Sequence, residues 1–272
     1  MQDQYAKQVN ASSAHAPHIK KIVGQFNDLR HRHDLYRLFS DCMEMMALAL
    51  SNSADLAQFE VREARYMQLI KAYSRDELSV FCQILAETKM ALAACPGDLL
   101  GVVFGQLEVH NKYRGQFFTP YEVCTLMARL QVGDGERMRQ LIESNGYVTV
   151  SEPACGAGAM VIAFVEAMLD AGFNPKHQVH VTAVDVDSRA AHMAYVQLSL
   201  MDVPAVIVVG NTLTLETREH WYTPSHVCGG WSLRLRRSAE EVGPAPAGHD
   251  DVPALPAPDA GARSPRPQLS LF

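Results

Sequence analysis

Glu152-Pro153-Ala154-Cys155-Gly156-Ala157-Gly158 stands between a short β-branched run, Tyr147-Val148-Thr149-Val150, and a long apolar-periodic run over 160–171. The first run reads as a buried strand and the second as a helix. An acid, a proline and two glycines spaced by one residue therefore fall on a strand-to-helix turn. A second strand is predicted over 179–184 and ends on Asp185, so the turn opens a βαβ unit. Glycines let the backbone turn tightly and approach a ligand closely. The free N–H groups of the following helix then face that ligand. An acid closing the second strand is the residue type that holds ribose hydroxyls in dinucleotide sites. The unit reads as a nucleoside-binding site. A plain strand–loop–helix connection uses the same glycines, and Asp185 downstream is what separates the two readings.

A helix over 187–201 leads to a third strand over 205–209, which ends at Gly210-Asn211-Thr212-Leu213. Strand and helix alternate, which argues for a parallel sheet with right-handed crossovers. Ligands bind beyond the carboxyl ends of such strands. Asn211 is thereby placed in the same crevice as Asp185 and the glycine loop. Its amide suits an adenine edge, and asparagine is equally a common turn residue.

Ahead of this unit the chain is helical. Residues to about Lys20 are polar and read as a frayed end. Leu35, Leu38, Phe39, Cys42, Met45, Met46 and Ala49 then fall on one helical face. A second helical stretch begins at Asp55 and runs to Ile70. Ser74-Arg75-Asp76-Glu77 matches the capping-box pattern and opens a third, and Asp98 starts a fourth. His31 and His33 flank Arg32 without an acid or cysteine at ligand spacing, so they read as a solvated polar face rather than metal ligands. The connection to the sheet is His110-Asn111-Lys112-Tyr113-Arg114-Gly115-Gln116-Phe117-Phe118-Thr119-Pro120. Thr119 suits a cap, Pro120 the first helical position and Glu122 the acid of a capping box, with the helix running to about Leu130. By residue type alone Phe117 and Phe118 staple the helical part onto the sheet. Aromatics ahead of a helix start also line adenine or sulfonium pockets.

Beyond Leu215 the pattern weakens. The run 231–237 alternates apolar with basic residues and reads as an edge strand or a basic tether for phosphates. Half of the 14 prolines lie in 239–267, a composition expected of a disordered linker. The chain ends Gln268-Leu269-Ser270-Leu271-Phe272, whose apolar anchors read as a peptide that docks in a partner's groove. The expected organisation is a helical part over 1–112, a nucleoside-binding α/β part over 113–237 and a tail over 238–272.

Composition narrows the classes. A net charge of −6 over 272 residues excludes wholesale coating of nucleic acid. Six scattered cysteines without C-x-x-C spacing exclude a zinc ribbon and a disulfide framework, and fit a reducing cytoplasm. No apolar run approaches membrane-spanning length, so no membrane partner is expected.

These residues carry a resemblance. Gly115-Gln116-Phe117-Phe118-Thr119-Pro120, then Glu152-Pro153-Ala154-Cys155-Gly156-Ala157-Gly158, then Asp185, resemble the adenine-N6 DNA methyltransferases related to the modification subunit of type I restriction systems. The resemblance covers roughly 30–215. It implies a helical N-terminal domain followed by a partial Rossmann-like sheet. It implies S-adenosylmethionine as cofactor, contacted by Phe117, Phe118, Thr119, Pro120 and the loop residues Glu152, Pro153, Ala154, Cys155, Gly156 and Gly158. Asp185 would hold the ribose and Asn211 the adenine edge. It also implies DNA as substrate. Two departures stand out: Asn211 occupies a place the family gives to aspartate, and the catalytic Asn-Pro-Pro-aromatic tetrapeptide is absent from the chain. A second chain would have to supply that loop. The tail Gln268-Leu269-Ser270-Leu271-Phe272 resembles the bacterial sliding-clamp-binding pentapeptide, with Gln268, Leu269, Leu271 and Phe272 as its anchors. The resemblances together imply a methyltransferase of a restriction or mobile-element system, or a non-catalytic cofactor-binding adaptor at the clamp.

Overall fold

The computed structural model describes residues 2–107, 119–242 and 268–270, with side chains over 14–107 and 119–238. Five helices come first: α1 (Gln2–Leu29), α2 (Leu35–Asn52), α3 (Phe59–Leu69), α4 (Arg75–Ala94) and α5 (Leu99–Gln106). The α/β part follows as α6 (Tyr121–Val132), α7 (Glu136–Asn145), β1 (Val148–Glu152), α8 (Ala159–Asp170), α9 (Pro175–Gln178), β2 (Val179–Asp185), α10 (Ser188–Leu200), β3 (Ala205–Asn211), β4 (Glu216–Tyr222), α11 (Pro224–Cys228) and α12 (Trp231–Val242). A last short strand, β5 (Gln268–Ser270), closes the list.

The strands form one sheet in the order β4-β3-β2-β1-β5. β1, β2 and β3 are parallel, with Val150 opposite Val181 and Val181 opposite Ala205. This is the parallel half-sheet expected from the βαβ pattern. β4 runs antiparallel to β3 across a bulge at Val209/Gly210, and β5 runs parallel to β1.

Local chemistry fixes most element ends. Ser74 and Glu77 form the reciprocal capping box at α4, Asp98 caps α5 through the Gly101 N–H, and Asp187 caps α10 through the Arg189 N–H. α2 buries Leu38, Phe39, Cys42, Met45 and Met46 as its periodicity predicts, along with Met43, Ala47 and Leu48, while Ala49 faces out. One apolar core runs from Ile19 of α1 to Trp221 of β4.

Several expectations need correction. The stretch to Lys20 belongs to α1, and its His15 and Ile19 are buried. His15, Ile19, Ile22, Phe26 and Leu29 recur at helical spacing, a face hidden among polar neighbours. α6 has Pro120 at its N-cap and no side-chain cap, so the capping box expected from Thr119 and Glu122 does not form. The run after Gly230 is the helix α12, not a strand: Trp231 and Ser238 are both buried one heptad apart. β4 carried no clear sequence signal because only its Trp221 is buried. The expected linker over 239–267 lies, beyond Val242, outside the described residues. Among those residues no helix is long and apolar enough to cross a membrane.

α11 and α12 are fastened near the amino ends of the strands. His180 of β2 and His226 of α11 share a hydrogen bond of 2.9 Å, and His226 Nε2 meets Ser232 Oγ at 3.0 Å. The His180 ring also packs on Trp231. Between two rings one nitrogen must donate and the other accept, so the pair is compatible with neutral imidazoles. Burial, followed by the charges of His226 and Arg234, pushes His180 down to about 3; burial pushes His226 down to about 4. Both folded values lie below the unfolded value of 6.5, so their contribution to stability is present above that pH and lost as pH falls through it. Urea unfolding is expected to show declining stability from pH 6.5 toward pH 4, flattened in His226→Gln. Identical wild-type and variant profiles would remove the pair as the cause.

Candidate functional site

The carboxyl ends of β1, β2 and β3 converge on the Glu152–Gly158 loop. Gly156 and Gly158 adopt φ of +54° and +95°, a left-handed backbone that side chains other than glycine enter with strain. A Cβ on Gly158 would also lie 3.4 Å from the Ala194 backbone, so this glycine brings the start of α8 against α10. The loop is tied to β2 twice: the Cys155 N–H donates to Val184 O at 2.8 Å, and the Gly156 N–H donates to Asp185 Oδ2 at 2.8 Å. The other oxygen of Asp185 accepts the Asp187 N–H at 2.8 Å. From the turn after β3, the Thr212 hydroxyl donates to Pro153 O at 2.6 Å. α8 starts at Gly158 without a side-chain cap, which leaves its first amides to be satisfied by water or a ligand.

Two carboxyls dominate the electrostatics. Glu152 is fully buried; one oxygen accepts the Ala154 N–H at 3.1 Å, and among the described residues Oε2 has no hydrogen-bond partner. Burial, aided by the Asp185 charge and opposed by the Ala154 hydrogen bond, raises Glu152 to about 7. Asp185 is also raised by burial, against the amides of Asp187 and Gly156 that favour its charge. The Cys155 thiol is pushed well up by burial and the two neighbouring acids, which makes it a packing residue rather than a nucleophile.

The structure thus brings together Glu152, Pro153, Ala154, Cys155, Gly156, Gly158, Asp185 and the turn after β3. Asn211 takes the turn role that its residue type equally suits. Its Oδ1 accepts the Leu213 and Thr214 amides at 3.0 and 3.4 Å, the local turn use of asparagine. Thr119 and Pro120 are exposed at the entrance to α6. That helix lies on α8, where the Tyr121 hydroxyl donates to Glu166 Oε2 at 2.9 Å, and burial, followed by the Asp98 charge, pushes its Cys124 thiol up. Phe117 and Phe118 lie outside the described residues. Among those residues no group of three or more histidines, cysteines or acids is placed to hold a metal ion.

Sequence reasoning missed one support. The Gln197 amide nitrogen of α10 donates to Ala157 O at 2.8 Å and to Asp98 Oδ1 at 2.9 Å, and its oxygen accepts the Leu100 N–H at 3.0 Å. Asp98 and Gln197, both buried, brace the glycine loop from behind. The available signal was a lone glutamine in an otherwise apolar face of α10.

A parallel half-sheet with a glycine loop after β1 and an acid closing β2 is the architecture of a Rossmann-like methyltransferase. Residues 97–228 match the N-6 DNA methylase family model. S-adenosylmethionine is the cofactor this family implies. A putative class I S-adenosylmethionine-dependent methyltransferase from Listeria monocytogenes is similar at 15% identity, covering 72% of this chain and 52% of that one, with a TM-score of 0.41. The chain thus spans about half the length of that protein. No curated protein matches the sequence.

The residues present fit the cofactor. The uncapped start of α8 suits its carboxylate, and the unpartnered buried oxygen of Glu152 suits a hydrogen-bond donor. A carboxylate offers about four lone-pair sites; the described hydrogen bonds give each Asp185 oxygen one amide partner, which leaves acceptor capacity for ribose hydroxyls.

Proposed function

We propose that the chain binds S-adenosylmethionine over Glu152–Gly158 and Asp185, with Phe117 to Pro120 closing one side, and belongs to a DNA adenine-N6 methyltransferase system of restriction or mobile-element type. The observation that carries the reading is the glycine loop clamped to Asp185 at the carboxyl ends of three parallel strands. When bound, the cofactor supplies an electrophilic methyl group. The chain's own part is to orient it: α8 faces the anion, and Asp185 holds the loop and the sugar. Calorimetric titration with S-adenosylmethionine is expected to give saturable binding at one site. A folded protein that takes up no cofactor would end the proposal.

A second reading has its own support. No Asn-Pro-Pro-aromatic tetrapeptide occurs in the sequence. The exit of β4 is committed to structure: the Thr223 hydroxyl donates to Val203 O at 2.8 Å and accepts the Ala205 N–H at 2.9 Å. The chain by itself then binds the cofactor without transferring the methyl group, and either a second chain completes the site or the protein acts as an adaptor. Radiolabelled methyl transfer to adenine-containing DNA separates these: transfer by the chain alone rejects the adaptor. For the adaptor, Gln268, Leu269, Leu271 and Phe272 are the anchors to a sliding clamp. Deleting 268–272 is expected to abolish retention on immobilised clamp, and equal retention would dismiss the tail's role.

A further inference from the structure

The two edges of the sheet are built differently. On β4, Glu216, Thr217, Arg218 and Glu219 are all exposed, and a bulge interrupts its pairing. Charges and bulges are how a natural edge strand deters further pairing. β1, at the other end of the four-strand sheet, has no bulge, and its one acid, Glu152, lies beyond the residues that pair with β5. Its Val148, Thr149, Val150 and Glu152 are buried, and it carries no lysine, proline or bulge. Left open, it would present a row of unpaired backbone N–H and C=O groups along a mostly buried strand, a ready template for another strand. That edge is covered by Gln268–Ser270, which pairs in parallel with Thr149 opposite Gln268, Val150 opposite Leu269 and Ser151 opposite Ser270.

The route of the chain favours this return. α12 packs beside the residue that leads into β1: the Tyr147 hydroxyl hydrogen-bonds Ser238 Oγ at 2.8 Å, and the Tyr147 ring lies edge-on to Trp231 at 5.1 Å. A strand parallel to β1 must begin near that same end. The connection over 243–267 can extend to about 80 Å, several times the length of the strand it serves.

We propose that the edge of β1 is a strand-acceptor site and that this chain's own Gln268–Ser270 is its exchangeable occupant. The backbone supplies the affinity, as in strand addition generally, and tethering keeps the local concentration of the peptide high. A partner that takes up the tail then has to release β1, a consequence that rests on the docking reading of the tail; the occupancy of β1 does not.

Hydrogen-exchange mass spectrometry on the full chain tests this. In a chain ending at Pro267, and in full-length Leu269→Pro, the edge-facing amides of β1 are expected to exchange about tenfold faster or more. Proline fixes φ near −65°, away from the extended values of a strand, and lacks an N–H, while it leaves the rest of the tail in place. The β2-facing amides should stay slow in both variants, which shows that the sheet is intact. A synthetic peptide of residues 263–272 should restore slow exchange in the truncated chain. Equal exchange in all three proteins overturns strand addition, and faster exchange that the peptide does not reverse overturns exchangeability. Both readouts stand whether or not the tail binds a clamp.

Discussion

Arg62→Ala is expected to lower stability by about 3–5 kcal/mol, the scale of breaking a buried ion pair from one side. Arg62 on α3 and Asp55 ahead of it are both nearly buried and 2.8 Å apart. The same guanidinium donates to the Ser51 hydroxyl and, at 2.8 Å, to His220 O on β4, and it lies over the Trp221 ring at 4.3 Å. One side chain thereby joins the helical part to the edge strand. Alanine would leave the Asp55 carboxylate and a strand carbonyl without this donor, and each loss carries a desolvation penalty. The melting temperature should fall by roughly 10 °C in a chain of this size. Arg62→Lys keeps the charge but loses the planar fork that reaches three partners, so it should recover only part of the loss. In an Asp55→Ala background the same change should cost less, because the orphaned charge is gone. A melting temperature unchanged by Arg62→Ala would mean that α3 and β4 are held by apolar packing alone.

What was legible in the sequence is what local rules control. The capping box at Ser74, the helix starts near Asp98 and Asp187, and the end of β2 at Asp185 each depend on a few neighbouring residues, whereas β1 and β3 run two residues beyond their β-branched runs, to Glu152 and Asn211. The glycine loop and Asp185 were legible together because strand, turn, helix and strand follow one another without interruption. The rest depends on partners far away in the chain. β4 looks polar because it is an edge strand, and only pairing with β3 reveals it. α12 alternates apolar and basic residues like a strand, yet Tyr147 and His180 are what bury its Trp231. The brace on Ala157 joins Asp98 to Gln197 across 99 positions. Asn211 was placed at the right strand end, but which hydrogen bonds its amide makes is set by the tight turn to β4.

Asp185→Ala is expected to weaken S-adenosylmethionine binding by about 1–3 kcal/mol, the cost of losing hydrogen bonds to a charged acceptor, or roughly 5- to 150-fold in Kd. The structure adds a second effect. Both oxygens of Asp185 hold backbone amides, those of Gly156 and Asp187, so the variant also releases the glycine loop from β2. Asp185→Asn retains one acceptor oxygen and should fall between wild type and alanine. The change also reaches Glu152, which burial and the Asp185 charge together raise to about 7. A carboxyl with a raised folded value contributes stability that is fully present below its unfolded value and is lost as pH rises through the folded one. Wild type should therefore lose stability as pH rises through about 7, and Asp185→Asn, lacking the like charge, should lose less. Cofactor binding should run the other way: ionised Glu152 favours the cationic ligand, so wild-type affinity should increase over that range. Calorimetry at pH 6 and pH 8 on wild type, Asp185→Asn and Glu152→Gln reads both effects. If Glu152→Gln binds with the same pH dependence as wild type, the buried carboxyl is not facing the cofactor, and the site must be rebuilt around Asp185 and the start of α8 alone.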